Sequence, residues 1–206
     1  MAMKSWDTLA DEATIAKTIE ALKGNGIDAT VVSAGAEAKE RALSMLPEGA
    51  EVMTMSSVTL DTVGLTEAIN SSSRYKPVRD KLYAMNRETQ HVEMLKLGAA
   101  PEWTVGSVHA VTQDGHILIA SYSGSQLPAY VYAAAHVIWV VGVQKIVANV
   151  EEGIKRISEY TLPLESERAR KAYGLPGSAV NKLLIINCEV TPGRLTVVFV
   201  REKLGY

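Results

Sequence analysis

Residues 106–145 read GSVHAVTQDGHILIASYSGSQLPAYVYAAAHVIWVVGVQK, and they decide the fold class because their periodicity passes from strand to helix and back to strand. Alternating and β-branched runs at 105–111 and 116–121 flank Gln113-Asp114-Gly115, and Asp-Gly between two such runs signals an antiparallel hairpin. With Asp114 and Gly115 as a two-residue turn, Gln113 faces His116, Val111 faces Leu118, His109 faces Ala120 and Ser107 faces Tyr122, all on one face of the sheet. The second run ends in Ser123-Gly124-Ser125-Gln126 and enters LPAYVYAAA, a helix-forming run whose first turn accommodates Pro128. A strand, a small-residue loop and a helix start together make an anion site when the loop amides and the positive end of the dipole are free. The same residues also suit an ordinary N-cap, with Ser125 as the capping hydroxyl. Residues 136–143 (HVIWVVGV) form a continuous apolar run, the mark of a strand buried on both faces. Lys145 then leaves the sheet at the carboxyl end of that strand, where ligands of open α/β sheets gather. A lysine there suits an anion; a solvated strand-end lysine is the alternative.

Upstream of this stretch, Trp6, Leu9, Ala13, Ala16, Ile19 and Leu22 recur at helical spacing, with Gly24 and Gly26 as the stop. Residues 27–33 read as a strand, 37–46 as a helix, Pro47-Glu48-Gly49 as a turn and 51–55 as a second strand. Ser56-Ser57-Val58-Thr59 opens a further helix over 60–70, repeating the geometry inferred at Ser123. After Ser71-Ser72-Ser73, a long polar helix is expected over 77–97, with Pro77 near its start and Gly98 past its end. Arg87 and His91 share one of its faces, either solvated or functional. Downstream, Asn149 caps a helix that Pro163 ends, 164–173 is another helix stopped by Gly174, and 183–190 and 195–200 are strands joined as a hairpin through Pro192-Gly193. The element order implies a three-layer α/β/α fold around one mixed, mostly parallel sheet. One domain over 1–206 is expected, with an N-terminal helix to residue 24 and a helical insertion over 71–104.

The chain has 206 residues, 47% of them hydrophobic and 21% charged, with a net charge of −2. That balance is globular and leaves no basic footprint for nucleic acid. The start, MAMKSWDTLADEA, lacks an apolar leader core, and the longest apolar run falls short of a membrane span. The single cysteine, Cys188, sits in LLIINCEV, where burial is expected, and one thiol cannot hold an iron–sulfur cluster. A reducing cytoplasm fits. The four histidines show no metal-binding spacing, and the glycine-rich dinucleotide, P-loop and hydrolase-elbow motifs are missing. Polar residues at strand ends are what remain for chemistry. Ser107, His109 and Tyr122 share a hairpin face, where His109 is either a general acid or base or a hydrogen-bonded core residue.

The combination SSVTLDTVGL (56–65), VGSVHAVTQDGHILIASYSGSQLPAYVYAAAHVIWVVGVQKIV (105–147), LPLESERARKAYG and PGRLTVVFVREKLGY resembles the LUD, or lactate-utilisation, domain family over nearly the whole chain from about residue 35. The resemblance implies a fold similar to the glucosamine-phosphate deaminase, ribose-phosphate isomerase and CoA-transferase superfold. It also implies a part in oxidising lactate to pyruvate. Lacking cluster cysteines, the chain looks like the small, clusterless lactate-utilisation protein C type, with no cofactor of its own and any iron–sulfur cluster on a partner subunit. Residue by residue, the family's Ser-x-Thr loop falls on Ser57 and Thr59, and its GS-x-x-A-x-T segment on Gly106, Ser107, Ala110 and Thr112. The family's Ser/Gly loop falls on Ser123, Gly124 and Ser125, followed here by Gln126, and its strand-end lysine on Lys145. The glutamate nucleophile of the CoA-transferase relatives has no counterpart. His109 and Lys145 are the catalytic candidates, and a small anionic metabolite is the expected ligand. A stand-alone enzyme on a sugar phosphate, folate or acyl substrate, a non-catalytic assembly module and a homo-oligomer are the other expectations.

Overall fold

The computed structural model of the chain describes residues 5–206; the first four residues of the stretch read as having no leader lie outside them. In chain order come α1 (Glu12–Gly24), β1 (Asp28–Val32), α2 (Gly35–Met45), β2 (Glu51–Thr54), α3 (Val58–Thr62), α4 (Leu65–Asn70), β3 (Lys76–Pro77), α5 (Val78–Ala84) and α6 (His91–Ala99). Then follow β4 (Trp103–Gly106), β5 (Ala110–Thr112), β6 (Ile117–Ser121), a π turn (Ala129–Ala133), β7 (His136–Gly142), a 3-10 turn (Val143–Lys145) and β8 (Ile146–Val147). The chain closes with α7 (Val150–Arg156), a second π turn (Ile157–Thr161), α8 (Leu162–Tyr173), β9 (Lys182–Ile186) and β10 (Leu195–Val200).

Six strands form a wholly parallel sheet in the order β1-β10-β7-β4-β2-β3. The apolar run at 136–143 is its centre, and its alternation sorts the core into two. Val137, Trp139 and Val141 pack with Phe199 and with Ile15 and Leu22 of α1, while Ile138 and Val140 pack with Val198 and Val200 and with Ala38 and Ala42 of α2. Leu60, Leu65 and Ile69 of α3 and α4 join the second core. Helices therefore cover both faces of the sheet, the three-layer α/β/α arrangement expected. Each large apolar side chain so buried contributes roughly 1.5–3 kcal/mol, which is why residues 137–141 of this strand are all apolar.

The antiparallel pairing read at 105–121 is real but belongs to a second sheet, ordered β8-β5-β6-β9. That sheet shares Val111, Ile117 and Ile119 with the Trp139 core and turns Ala110, Leu118 and Ala120 toward Ile157. The run at 105–111 is accordingly not one strand. β4 ends at Gly106, where a Cβ would collide with the Tyr130 hydroxyl, and residues 107–109 carry the chain across to β5. The hairpin register is also shifted by one residue. Ala110 faces Leu118 and Val111 faces Ile117, with the Thr112 amide bonded to the His116 carbonyl at 2.8 Å. Only Gly115 of the turn has positive φ (85°), so the loop is the three-residue type with one left-handed residue, not the two-residue type needing two.

Other boundaries moved for local reasons. α1 starts at Glu12, because the Asp11 carboxylate accepts from the Thr14 amide at 2.7 Å and caps it there. The helix expected over 60–70 breaks at Gly64 (φ 69°), and the one expected over 77–97 is two helices, α5 and α6. Pro163 does not end a helix: the wider π turn before it absorbs the missing amide, and the chain stays helical to Tyr173. β9 and β10 enter different sheets, so the expected C-terminal hairpin does not form. Cys188, between them, is exposed. Among the described residues no helix is long and apolar enough to cross a membrane.

Candidate functional site

The carboxyl ends of β2, β4 and β7 open into a cleft of about 1070 Å³, walled by Leu82 and Tyr83 of α5, by Met94 and Leu95 of α6, and by Glu165 and Arg168 of α8. Lys145 lies at its floor. Val143–Lys145 forms a single 3-10 turn after β7, which directs the lysine inward, and the residue is 2% exposed. Its Nζ donates to Thr59 Oγ1, Ser107 Oγ and the Val108 carbonyl, each at 3.1 Å. All three partners are neutral. Burial, helped by the Arg156 guanidinium nearby, pulls the Lys145 pKa down to about 7.

Thr59 is held in turn, donating to the Leu204 carbonyl at 3.2 Å, while Gln144 Nε2 donates to the same carbonyl at 2.9 Å. The C-terminal segment is thereby laced across the strand ends. Tyr206 closes it, donating to Glu165 Oε2 at 2.6 Å, and Glu165 also takes Arg168 at 2.7 and 2.8 Å. Burial would raise the Glu165 pKa, but these hydrogen bonds outweigh it and hold the carboxyl below its usual range. His109 Nδ1 accepts from the Ala120 amide at 3.1 Å. Desolvation first, then Lys145 and Arg156, push its pKa down to about 3, so the ring is neutral near pH 7 with its proton on Nε2. That position is far from the near-neutral pKa suited to a general base. Arg156, wholly buried, donates to the His109 carbonyl at 2.7 Å and to Thr161 Oγ1 at 3.2 Å, and its guanidinium lies 5.1 Å over the Tyr160 ring.

Of the residues singled out from sequence, Ser57, Thr59, Ser107, His109, Ser123, Gly124, Ser125, Gln126 and Lys145 all line this one cleft. Two do not. Thr112 binds Asp114 through its hydroxyl and accepts from the His116 amide at 2.8 Å, which makes it part of the hairpin turn. Gly106 gives Tyr130 room to approach. The Ser123–Gln126 loop departs from the geometry expected of it. It leads into a single π turn, not a sustained helix; the Gly124 amide donates to Ser121 Oγ at 2.8 Å and the Ser125 amide to Ser123 Oγ at 3.3 Å. Two of its amides are thus occupied by hydroxyls of the same chain segment, Ser121 and Ser123.

Sequence reasoning missed Arg79, which donates to Thr54 O and Ser56 Oγ at 2.7 Å each and to Tyr83 Oη at 3.2 Å. It pairs with no carboxylate among the described residues. Its only advance signal was its place in the expected polar helix, on whose surface charge is ordinary. Arg87 and His91 also reach the cleft wall. Glu165, Arg168 and Tyr206 are joined only by the fold. Among the described residues no group of three or more histidine, cysteine, aspartate or glutamate side chains is placed to hold a metal ion.

Comparison with known proteins gives one family, described as the LUD domain, matching residues 15–200. No curated protein matches the chain. Among solved structures, the crystal structure of a DUF162 family protein from Deinococcus radiodurans is similar, with a TM-score of 0.58 and 15% identity, covering 94% of this chain and 99% of that one. At that identity the likeness is one of fold.

Proposed function

The chain belongs to the LUD domain family, and from that premise we propose that it serves lactate utilisation by holding a small carboxylate, lactate or pyruvate, in the cleft above Lys145. The observation that carries this reading is the lysine itself: a buried ammonium on neutral oxygens only, with no carboxylate partner among the described residues. An uncompensated buried charge is costly, and a ligand anion relieves that cost. Arg79 adds a second unpaired cation to the same cleft. Electron transfer falls to an iron–sulfur partner in this reading, since one cysteine cannot ligate a cluster, and the pair works in the cytoplasm.

Calorimetric titration tests it. Wild type should bind lactate and pyruvate, and Lys145→Ala should lose about ten- to a hundredfold in affinity, the equivalent of roughly 1.5–3 kcal/mol for a charge-assisted contact. Lys145→Met, which keeps the bulk of the stem, should lose as much. Equal binding by wild type and both variants would sink the reading, and preference for sugar phosphates would replace the substrate class. Pull-down from the native cell followed by iron analysis tests the partner: a clusterless subunit should bring down iron–sulfur protein, whereas a stand-alone enzyme should come alone.

A further inference from the structure

Lys145 combines features that plain anion binding does not require. It is desolvated, it stands near a second cation, Arg156, and it is ringed by hydroxyls. Desolvation and a neighbouring cation are the two devices that turn a lysine into a nucleophile. The hydrogen-bond pattern accommodates the neutral amine as well as the ammonium. Thr59 already spends its hydroxyl proton on the Leu204 carbonyl, so Thr59 Oγ1 and the Val108 carbonyl accept the amine's two protons. Ser107 Oγ, 3.1 Å away, then turns its proton toward the nitrogen lone pair. A hydroxyl so placed can hand a proton on and take one back.

Arg79 supplies the second half of the argument. Three of its N–H groups go to neutral oxygens on Thr54, Ser56 and Tyr83, which leaves two of a guanidinium's five donors and the whole charge for a ligand. Arg79 is tied to Ser56 and Lys145 to Thr59, so the two cations flank one four-residue segment, 56–59. A ligand with a carboxylate on Arg79 and a carbonyl carbon against Lys145 is a small 2-oxo acid.

We propose that Lys145 condenses reversibly with the C2 carbonyl of a small 2-oxo acid to form an imine. The inference rests on the carboxylate reading of the cleft and adds covalent chemistry to it. The neutral amine's lone pair forms the C–N bond while the carbonyl π pair moves to oxygen, which takes a proton from Ser107. The first nitrogen proton restores the Ser107 hydroxyl and leaves a neutral carbinolamine; the second then passes through Ser107 to the carbinolamine hydroxyl, which leaves as water while the nitrogen electron pair forms the C=N bond. Nothing is oxidised or reduced, and a 2-hydroxy acid cannot take part because it has no carbonyl.

Reductive trapping decides it. Wild-type protein is incubated with pyruvate and cyanoborohydride, digested and mapped by mass spectrometry. The expected result is a reduced adduct on Lys145 ahead of the other lysines, rising at saturating pyruvate as pH climbs from about 7, where the amine loses its charge. The surface lysines should follow only nearer their ordinary pKa of about 10.4. Lactate should give no adduct and should suppress trapping by pyruvate. Arg79→Gln should raise the pyruvate concentration needed while leaving Lys145 as the labelled residue. Calorimetric binding of pyruvate with no adduct, or adducts spread evenly over the lysines, would overturn the imine and leave the carboxylate site standing. Failure of pyruvate to bind at all would overturn both.

Discussion

Two small-residue loops line the cleft, Ser56–Thr59 after β2 and Ser123–Gln126 after β6, and they look interchangeable in sequence. The first ends a strand of the parallel sheet and is pinned from below by the buried Lys145 through Thr59. The second ends a strand of the small mixed sheet and is pinned from outside by the exposed Lys182, which donates to the Ser123 carbonyl at 2.8 Å. One loop thus rests on a charge removed from water, the other on a charge that stays in it. Only the first creates an electrostatic demand that a ligand can answer, because charge in the interior is screened far less than charge at the surface.

The largest effect that should separate them is a pH dependence. Lys145 titrates at about 7 in the fold against 10.5 ordinarily, so between those values the unfolded chain binds more protons and stability must rise with pH. The full difference is on the order of 5 kcal/mol. Chemical denaturation from pH 7 to 10 should show wild type gaining stability relative to Lys145→Met, which lacks the titrating group, whereas Lys182→Met should track wild type. A flat difference between wild type and Lys145→Met would erase the contrast.

Ligand binding comes next. Lys182→Ala should leave lactate affinity unchanged within about twofold, since a solvent-exposed contact is worth well under 1 kcal/mol, against the ten- to hundredfold loss expected at Lys145. Titrating both variants in parallel measures the difference between the loops directly. Equal losses would mean that the anion bridges them.

Gly124→Val should cost roughly 1–2 kcal/mol of stability, read as a lower midpoint in a urea melt. Its φ of 90° is left-handed, and a Cβ would come within 2.6 Å of the Lys182 side chain. That side chain is flexible and can swing aside, so the backbone supplies most of the cost. The smallest effect is at the caps. Ser57→Ala removes the hydroxyl that accepts from the Leu60 amide at 3.4 Å and should cost about 0.5 kcal/mol for so long a bond. Ser125→Ala should stay within about 0.5 kcal/mol of wild type, because its residue is exposed. A larger loss at Ser125 than at Ser57 would reverse the ranking of the two loops.

Much of the architecture was legible in the order of residues. The apolar run at 136–143 reads as a strand buried on both faces, Asp114-Gly115 as a turn, and Gly174 stops α8 as expected, in the left-handed conformation (φ 65°). Local chemistry determines such features, since a side chain's period and a glycine's freedom act over a few residues. Ser57, Thr59 and Lys145 were recognisable too, because strand ends of a parallel sheet must gather on one edge, whereas Ser107, read inside a hairpin strand, was marked as a site residue only by the family resemblance. What the fold alone decided was everything that depends on distant partners. Whether the hairpin extended the main sheet or formed a second one turned on Trp139 and Phe199 sharing a core with Ile117 and Ile119. The division of β9 from β10 turned on which strand edge each found free. Lys145 carries no mark in sequence of being buried beside neutral oxygens, and Arg79 and Tyr206 none of joining it at one cleft; burial and electrostatic environment belong to the assembled neighbours, not to the residue, and they set the charge on which the chemistry depends.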